Sequence, residues 1–180
     1  MKIAITGHLD IEKSFNIKQE DNHVYNKEVF NKVFNKIEDF LLMYIETNRI
    51  DTNDLYLISG MARGVDEIFA LIAIKHKYKL IIAVPKSIEY HKNKIVKKTP
   101  DIKIQAIQYE EILKYENLEI CEVSNNIAKE RGDYGYFITR NQVMVDLSDY
   151  VLSFKRYEST GTNDCIDRAI KNKKYLGNIS

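Results

Sequence analysis

The sequence is poor in residues that break, bend or cross-link a chain. It has two prolines, seven glycines and two cysteines among 180 residues, and no repeat or low-complexity stretch. Nothing therefore marks a linker, and we expect one domain covering residues 1–180. Cys121 and Cys165 show no Cys-x-x-Cys spacing and no histidine at zinc-like intervals. We expect two buried thiols in a reducing cytoplasm and no metal site.

Long hydrophobic runs and an excess of one charge are also missing. No apolar run approaches the roughly 20 residues of a membrane-spanning helix, and the amino-terminal MKIAITGH turns polar too soon for a secretory signal. We therefore expect a cytoplasmic protein without a membrane partner. Lys and Arg number 27 against 26 Asp and Glu, which gives a net charge of +1. This balance provides no global attraction to nucleic acid, although a local positive patch is still possible.

Short apolar segments alternate along the chain with segments that are apolar at helical spacing, in a sequence of 44% hydrophobic and 29% charged residues. Such an alternation predicts an α/β fold of three layers, in which a mostly parallel sheet is covered by helices on both faces. The pattern predicts strands at 2–6, 55–59, 79–84, 117–123, 150–154 and 174–179, and helices at 24–48, 65–77, 136–145 and 163–172.

Ligands of parallel sheets bind beyond the carboxyl ends of the strands. In this sequence the residues directly after the predicted strands are small and polar, and several are glycines. The stretch SGMARG, residues 59–64, follows a predicted strand and precedes a predicted helix. Free backbone N–H groups at such a helix start bind anions, and Arg63 would add a positive charge. The alternative is that Gly60 and Gly64 only serve a tight turn.

The stretch STGTND, residues 159–164, has the same character at the start of the last predicted helix. Gly161 would let a phosphate approach the backbone closely, and the helix start would add its positive end. Thr160 and Thr162 would offer hydroxyl groups. An ordinary helix cap has the same composition, so both interpretations stay open.

Arg140 and Asn141 adjoin on another predicted helix. An arginine can fork onto a phosphate, and an asparagine can bind a base or ribose edge. The alternative is a structural ion pair between Arg140 and an aspartate such as Asp146, which lies near the entry to the next strand.

Three other positions are candidates, two of them because they follow predicted strands. His8 would donate to a phosphate or act as a general acid, unless it is a loop histidine exposed to water. Lys86 begins a lysine-rich segment that would close over a ligand as a lid, unless the segment is only a solvated helix face. Tyr134, on the stretch before Arg140, is one of several tyrosines able to stack on a base.

Together the stretches ITGH, SGMARGVDEIFALIA, RNQVMVDLSDYVLSF and STGTNDCIDRAI resemble the SLOG superfamily of Rossmann-like domains. Its members include YpsA-like proteins, the DNA-processing protein DprA and the LOG phosphoribohydrolases, and the YpsA-like branch is the most similar. The resemblance implies a nucleotide or NAD-derived ligand at the carboxyl edge of the sheet. The ligand residues that we predict from the strand ends and this resemblance are Gly7, His8, Ser59, Gly60, Arg63, Gly64, Asp66, Lys86, Arg140, Asn141, Thr160, Gly161 and Thr162.

The sequence departs from the LOG hydrolases where their chemistry resides. Their paired glycines correspond to Glu158 and Ser159, and their catalytic glutamate corresponds to Cys165. Because a thiol cannot replace a carboxylate that stabilises an oxocarbenium-like centre, this substitution argues against that hydrolase activity. We assign no catalytic residue. The candidates, if any reaction occurs, are His8, Asp66 and Asp146.

From the sequence we therefore expect a protein that binds a nucleotide or NAD-derived molecule as a sensor, carrier or sequestering protein, with a role in bacterial or phage defence. No cofactor is required. The resemblance and the apolar helix faces favour a homo-oligomer. DprA relatives bind single-stranded DNA, but the low net charge argues against nucleic acid here. The alternatives are an N-glycosidic hydrolase or transferase of LOG-like type, and an interaction protein without a small-molecule ligand.

Overall fold

The computed structural model describes residues 1–17, 25–98, 102–123 and 132–180, and it contains one six-stranded sheet. Every pair of neighbouring strands is parallel, and their order is β4-β3-β2-β1-β5-β6. The order reverses at β1, so a crevice opens beyond the carboxyl ends of β1 and β5. The strands are β1 (Lys2–Gly7), β2 (Tyr56–Ser59), β3 (Lys79–Pro85), β4 (Leu118–Val123), β5 (Tyr150–Phe154) and β6 (Tyr175–Asn178).

Helices lie on both faces of this sheet. Helices α1, α2 and α4 pack on one face and α5 and α6 on the other. The inner strands β1, β2, β3 and β5 are accordingly apolar on both sides: in β1, Ile3 and Ile5 belong to the first core and Ala4 to the second. The helices in the described parts of the chain are α1 (Lys27–Thr47), α2 (Val65–Lys75), α3 (Ile88–Lys98), α4 (Ile102–Leu113), α5 (Gly132–Leu147) and α6 (Thr160–Lys171).

Local sequence explains where the first helix begins and which side it buries. The side chain of Asn26 caps α1 by accepting hydrogen bonds from the amides of Glu28 and Val29, both at 3.1 Å. A stripe at three- and four-residue spacing then packs on the sheet: Val29, Val33, Ile37, Leu41 and Ile45 are all buried.

The predicted α/β fold with a parallel sheet is confirmed. Helices α3 and α4 are not among the predicted helices, and the other differences lie at the ends of elements. Val24, where the first helix was predicted to begin, lies outside the described residues. The last helix begins at Thr160 rather than Asn163, and α5 extends from Gly132 to Leu147 instead of 136–145. The earlier start of α6 matters for function, because it places Gly161 in the first turn of a helix.

The described ranges contain neither a candidate membrane-spanning helix nor a candidate metal site. No helix there combines the length and the apolar character needed to cross a bilayer. No group of three or more His, Cys, Asp and Glu side chains in those ranges could hold a metal ion.

Candidate ligand-binding site

A cavity of about 260 Å³ lies beyond the carboxyl end of β1, between α2, α5 and α6. One side is apolar and includes Leu9, Phe137, Ile138 and Met144, while the exposed ring of Tyr134 lies at its rim. The predicted ligand residues that line it are Gly7, Asp66, Arg140, Asn141, Gly161 and Thr162.

Arg140 is the cationic side chain among the described residues lining this cavity, and it is only 8% exposed. Its Nη1 donates to the carbonyl oxygen of Gly60 at 2.6 Å and lies 3.4 Å from Oδ2 of Asp66. Gly60 permits this approach because a Cβ there would lie 1.8 Å from Nη1. The Nε of Arg140 is buried and has no hydrogen-bond partner. One N–H of a lining guanidinium is therefore unused.

Asp66 is also buried, and its position on α2 is fixed from the backbone side. The hydroxyl of Ser59 donates to the carbonyl oxygen of Asp66 at 2.6 Å. Burial raises the pKa of the Asp66 carboxyl to about 6, although Arg140 and the backbone amide of Ala62 both favour the charged form. The carboxyl thus changes charge close to neutral pH.

The first turn of α6 forms the opposite wall. Thr162 anchors it by donating its hydroxyl to the carbonyl oxygen of Gly7 at 3.0 Å, and Asn141 donates its amide to the carbonyl oxygen of Gly161 at 3.2 Å. The hydroxyl of the N-cap residue, Ser159, accepts from the hydroxyl of Thr162 at 3.3 Å and caps no backbone amide of the helix start. Because the first amides of a helix have no acceptor within the helix, this end of α6 offers donors and a positive dipole to the cavity.

The helix start after SGMARG is built differently, because its amides are used within the protein. The amide of Gly64 donates to the hydroxyl of Tyr25 at 2.5 Å, and the amide of Val65 donates to the carbonyl oxygen of His8 at 3.2 Å. Arg63 lies over the ring of Tyr25, 4.7 Å from its centroid, and is not among the described residues that line the cavity. This turn therefore reverses the chain and packs against the end of β1.

Tyr25 also holds a second buried carboxyl. Its hydroxyl donates to Oε2 of Glu67 at 2.6 Å. Burial raises the pKa of Glu67 to about 7, with Tyr25 and Arg63 opposing the shift. Glu67 follows Asp66 on α2 but is not one of the described lining residues, so the two adjacent carboxyls have different surroundings.

His8 is 1% exposed, so the expectation of a water-exposed loop histidine does not hold. Its Nε2 accepts hydrogen bonds from the amides of Arg156 at 2.7 Å and Tyr157 at 3.1 Å, and its ring stacks on that of Tyr157. Burial, with Lys155 and Lys13 nearby, lowers the pKa of His8 to about 4. A neutral acceptor cannot act as a general acid at pH 7. His8 instead fixes the loop between β5 and α6.

The remaining candidates, Asp146 and Lys86, do not line the described cavity, and neither does Cys165. Asp146 is exposed and accepts from Nε2 of Gln142 at 2.7 Å, so the buried partner of Arg140 is Asp66 rather than Asp146. Lys86 lies over the ring of Tyr90, 5.1 Å from its centroid, outside the described cavity lining. Burial raises the pKa of Cys165 to about 12, which keeps this thiol protonated.

The apolar side of the cavity includes functional candidates that sequence reasoning missed. Phe137 follows Tyr136 on α5 and lines the cavity, while the guanidinium of Arg140 lies 5.8 Å from its ring centroid. Behind it, the buried imidazole of His91 lies 3.1 Å from the hydroxyl of Tyr109. The cluster of aromatic residues one turn before Arg140 is the sequence feature that would have indicated this wall.

Comparison with solved structures agrees with this architecture. The chain is similar to the X-ray structure of DNA processing protein A (DprA) from Streptococcus pneumoniae, with a TM-score of 0.58 and 16% sequence identity. The match covers 98% of this chain and 49% of that chain, so this chain spans about half the length of the solved protein. At this identity the likeness shows the fold.

Comparison with protein-family models identifies the family. No curated protein sequence matches this chain. The model of the family described as DNA recombination-mediator protein A matches residues 43–179, which is most of the chain and includes both Arg140 and the start of α6. The predicted relation to the SLOG superfamily and its DprA member is confirmed. The chain belongs to the DNA recombination-mediator protein A family.

Proposed function

We propose that this domain binds a nucleotide, with a phosphate between Arg140 and the first turn of α6 and the base near Tyr134 and Phe137. The observation that carries the proposal is that the cavity wall combines the guanidinium of Arg140 with the first turn of α6. An arginine guanidinium binds phosphate well, and the hydrogen bonds of Arg140 to Gly60 and Asp66 use only its Nη1. The adjacent helix start favours an anion.

The size of the cavity favours a mononucleotide over a dinucleotide such as NAD. Its volume of about 260 Å³ is just below the roughly 300–1,000 Å³ of typical small-molecule pockets. Binding of this kind suits a sensor, a carrier or a sequestering protein.

A glycosidic reaction has less support from the cavity than binding does. Such chemistry needs a carboxylate acid, base or nucleophile at the substrate. Asp66 is the carboxyl among the described lining residues, and it is committed to Arg140. The domain is therefore proposed to return its nucleotide unchanged.

Calorimetric titration with the four common nucleoside 5′-monophosphates tests the binding proposal. We expect at least one to bind, and we expect Gly161→Ala to weaken it at least about tenfold, because the methyl group obstructs the helix start that receives the phosphate. A Cβ at Gly161 meets no atom within 4 Å, so the variant should fold. Ile170→Ala, at an exposed position of the same helix, is the matched control.

Three outcomes separate the alternatives. Absence of binding with all four nucleotides contradicts the proposal. Equal affinity of wild type and Gly161→Ala contradicts the position of the phosphate. Release of free base, seen by chromatography of the incubated mixture, would establish the glycosidic alternative instead.

A second candidate function is the binding of single-stranded DNA, and a separate surface favours it. Lys13 lies 4.6 Å from the ring centroid of Tyr157, and Lys32 and Arg156 lie 5.0 and 4.7 Å from that of Phe15. Clustered surface cations bind the phosphates of a single strand, and the two rings hold these cations close together. This cation–aromatic surface supplies the local positive charge that the net charge of +1 conceals. Membership of a DNA recombination-mediator family points to the same class of partner.

Fluorescence anisotropy with a labelled oligothymidylate at several salt concentrations tests this second candidate. The double variant Lys32→Ala, Arg156→Ala is expected to bind more weakly, with a log–log salt slope smaller by about 1.4, since each single-strand phosphate contact contributes roughly 0.7. Lys171→Ala, Lys173→Ala removes two exposed cations at the other end of α6 and should change neither value. Equal slopes in the two double variants would eliminate the cation–aromatic surface as a DNA site.

A further inference from the structure

The guanidinium of Arg140 would interact with two anionic groups, the carboxylate of Asp66 and the phosphate of the proposed ligand. Asp66 lies on the α2 side of the guanidinium with Oδ2 3.4 Å from Nη1, and both side chains are at least nine-tenths buried. Asp66 and Arg140 both line the cavity, where the proposed function places a phosphate. With a ligand bound, one guanidinium would therefore face two anionic groups in a poorly hydrated space, where charge interactions are strong.

A proton relieves this excess of negative charge most simply. We propose that anion capture in this cavity is coupled to proton uptake: Asp66 becomes protonated as the phosphate joins Arg140. The inference rests on the proposed function, because it concerns the same cavity and the same guanidinium. A protonated Asp66 frees the full charge of Arg140 for the ligand and keeps a carbonyl oxygen toward Nη1.

The titratable groups around Asp66 must be considered as other acceptors of the proton taken up on binding. On α5 the facing group is Arg140, and on α6 it is Cys165, whose pKa is about 12. Also on α6, Asp164 is paired with Arg168 at 3.0 Å. On α3, His91 influences the same arginine, and burial lowers its pKa to about 3.

Two further groups lie near Asp66 along the chain or beyond the cavity. His8 follows β1, and its pKa of about 4 keeps it neutral above pH 5. Glu67 is the next residue on α2, with a pKa of about 7, but it is hydrogen-bonded to Tyr25 rather than facing the cavity. Of the groups considered, Asp66 and Glu67 are the ones that titrate between pH 5 and 8.

The pKa of Asp66 in the ligand-free protein determines how the affinity for the ligand changes with pH. The pKa of Asp66 is about 6 without ligand, and a bound anion raises it further. Below pH 6 the carboxyl is already protonated and affinity should change little. Between pH 6 and the higher pKa of the complex, affinity should fall by up to about tenfold per pH unit, because each binding event takes up as much as one proton.

The test uses whichever nucleoside 5′-monophosphate binds best to the wild-type protein. Calorimetry at pH 7 in two buffers of different ionisation enthalpy measures the protons taken up per ligand bound. The free ligand's phosphate titrates identically in every experiment, so a larger proton uptake by wild type than by Asp66→Asn is attributed to the presence of the Asp66 carboxyl. We expect wild type to take up more protons than Asp66→Asn, and the affinity of the variant to fall less between pH 6 and 8.

Glu67→Gln is the matched control, since it removes the neighbouring buried carboxyl and keeps an acceptor for Tyr25. It should retain the wild-type proton uptake. Binding with the same proton uptake in wild type and Asp66→Asn overturns the inference and leaves the proposed function intact. Loss of the effect in Glu67→Gln also overturns it, because the proton then belongs to Glu67. Absence of nucleotide binding by wild type at every pH overturns the proposed function itself. If Asp66→Asn fails to fold, a wild-type affinity ratio between pH 6 and 8 no larger than the ligand's own ionisation predicts overturns the inference.

Discussion

Gly64→Ala is expected to lower the free energy of unfolding by about 3–5 kcal/mol, which makes it among the most damaging single-methyl changes in the domain. Gly64 has φ of 84° and ψ of −121°, a backbone conformation that residues with a Cβ avoid. A Cβ would also lie 2.3 Å from the carbonyl oxygen of His8 and 2.7 Å from that of Leu9. Both obstacles are backbone atoms, so a side-chain rotation cannot relieve them.

The loss would extend to the site, because the same contact joins two of its elements. The amide of Val65 donates to the carbonyl oxygen of His8, and the ring of His8 fixes the loop that leads to α6. Pushing α2 away from β1 therefore disturbs the cavity walls as well as the turn. Thermal unfolding is expected to occur about 10 °C lower than in wild type, since 1 kcal/mol corresponds to roughly 2–4 °C in a domain of this size.

Gly161→Ala is the control for this prediction, since it adds the same methyl group in open space. Its stability should be unchanged or higher by up to about 1 kcal/mol, because alanine favours a helix over glycine. Equal melting temperatures for Gly64→Ala and wild type would show that the turn relaxes at no cost. They would contradict the structural account of SGMARG given above.

Periodicity predicted most of the fold because short-range patterns determine it. A buried strand of a parallel sheet is apolar on both faces, and four such runs are visible between Lys2 and Phe154, whereas the edge strand β4 carries Glu119 and Glu122. The first helix buries Val33, Ile37 and Leu41 as its spacing predicted. The start of α6 was placed three residues late because Thr160, Gly161 and Thr162 have poor helix propensity. Tertiary bonds from Thr162 to Gly7 and from Asn141 to Gly161 override that propensity.

The candidate site is formed by contacts between residues far apart in the sequence, which local sequence patterns do not reveal. Arg140 and Asp66 are separated by 74 positions, and nothing in the sequence indicated that Asp66 rather than Asp146 would pair with Arg140. The role of Tyr25 was also invisible, because its contact with the amide of Gly64 spans 39 positions. Glycine-rich turns mark the correct edge of the sheet. Which of them offers free amides depends on the partners that folding brings to each one.

Arg140→Gln is expected to weaken nucleotide binding by about 10- to 100-fold, the second large effect. A hydrogen bond to a charged group contributes roughly 1.5–3 kcal/mol, and about 1.4 kcal/mol corresponds to a factor of ten. The variant should also lose up to about 3 kcal/mol of stability, because it leaves Asp66 buried without its countercharge. Calorimetry measures the affinity, and denaturant unfolding measures the stability.

The double variant Asp66→Asn, Arg140→Gln separates these two effects. Removing both charges eliminates the unpaired buried carboxylate, so much of the lost stability should return. Binding should not return, because the cation that receives the phosphate is still missing. A double variant with wild-type affinity would show that Arg140 serves only to hold α5 against α2. A double variant that is stable and cannot bind assigns the guanidinium to the ligand, and assigns Asp66 to the control of its charge.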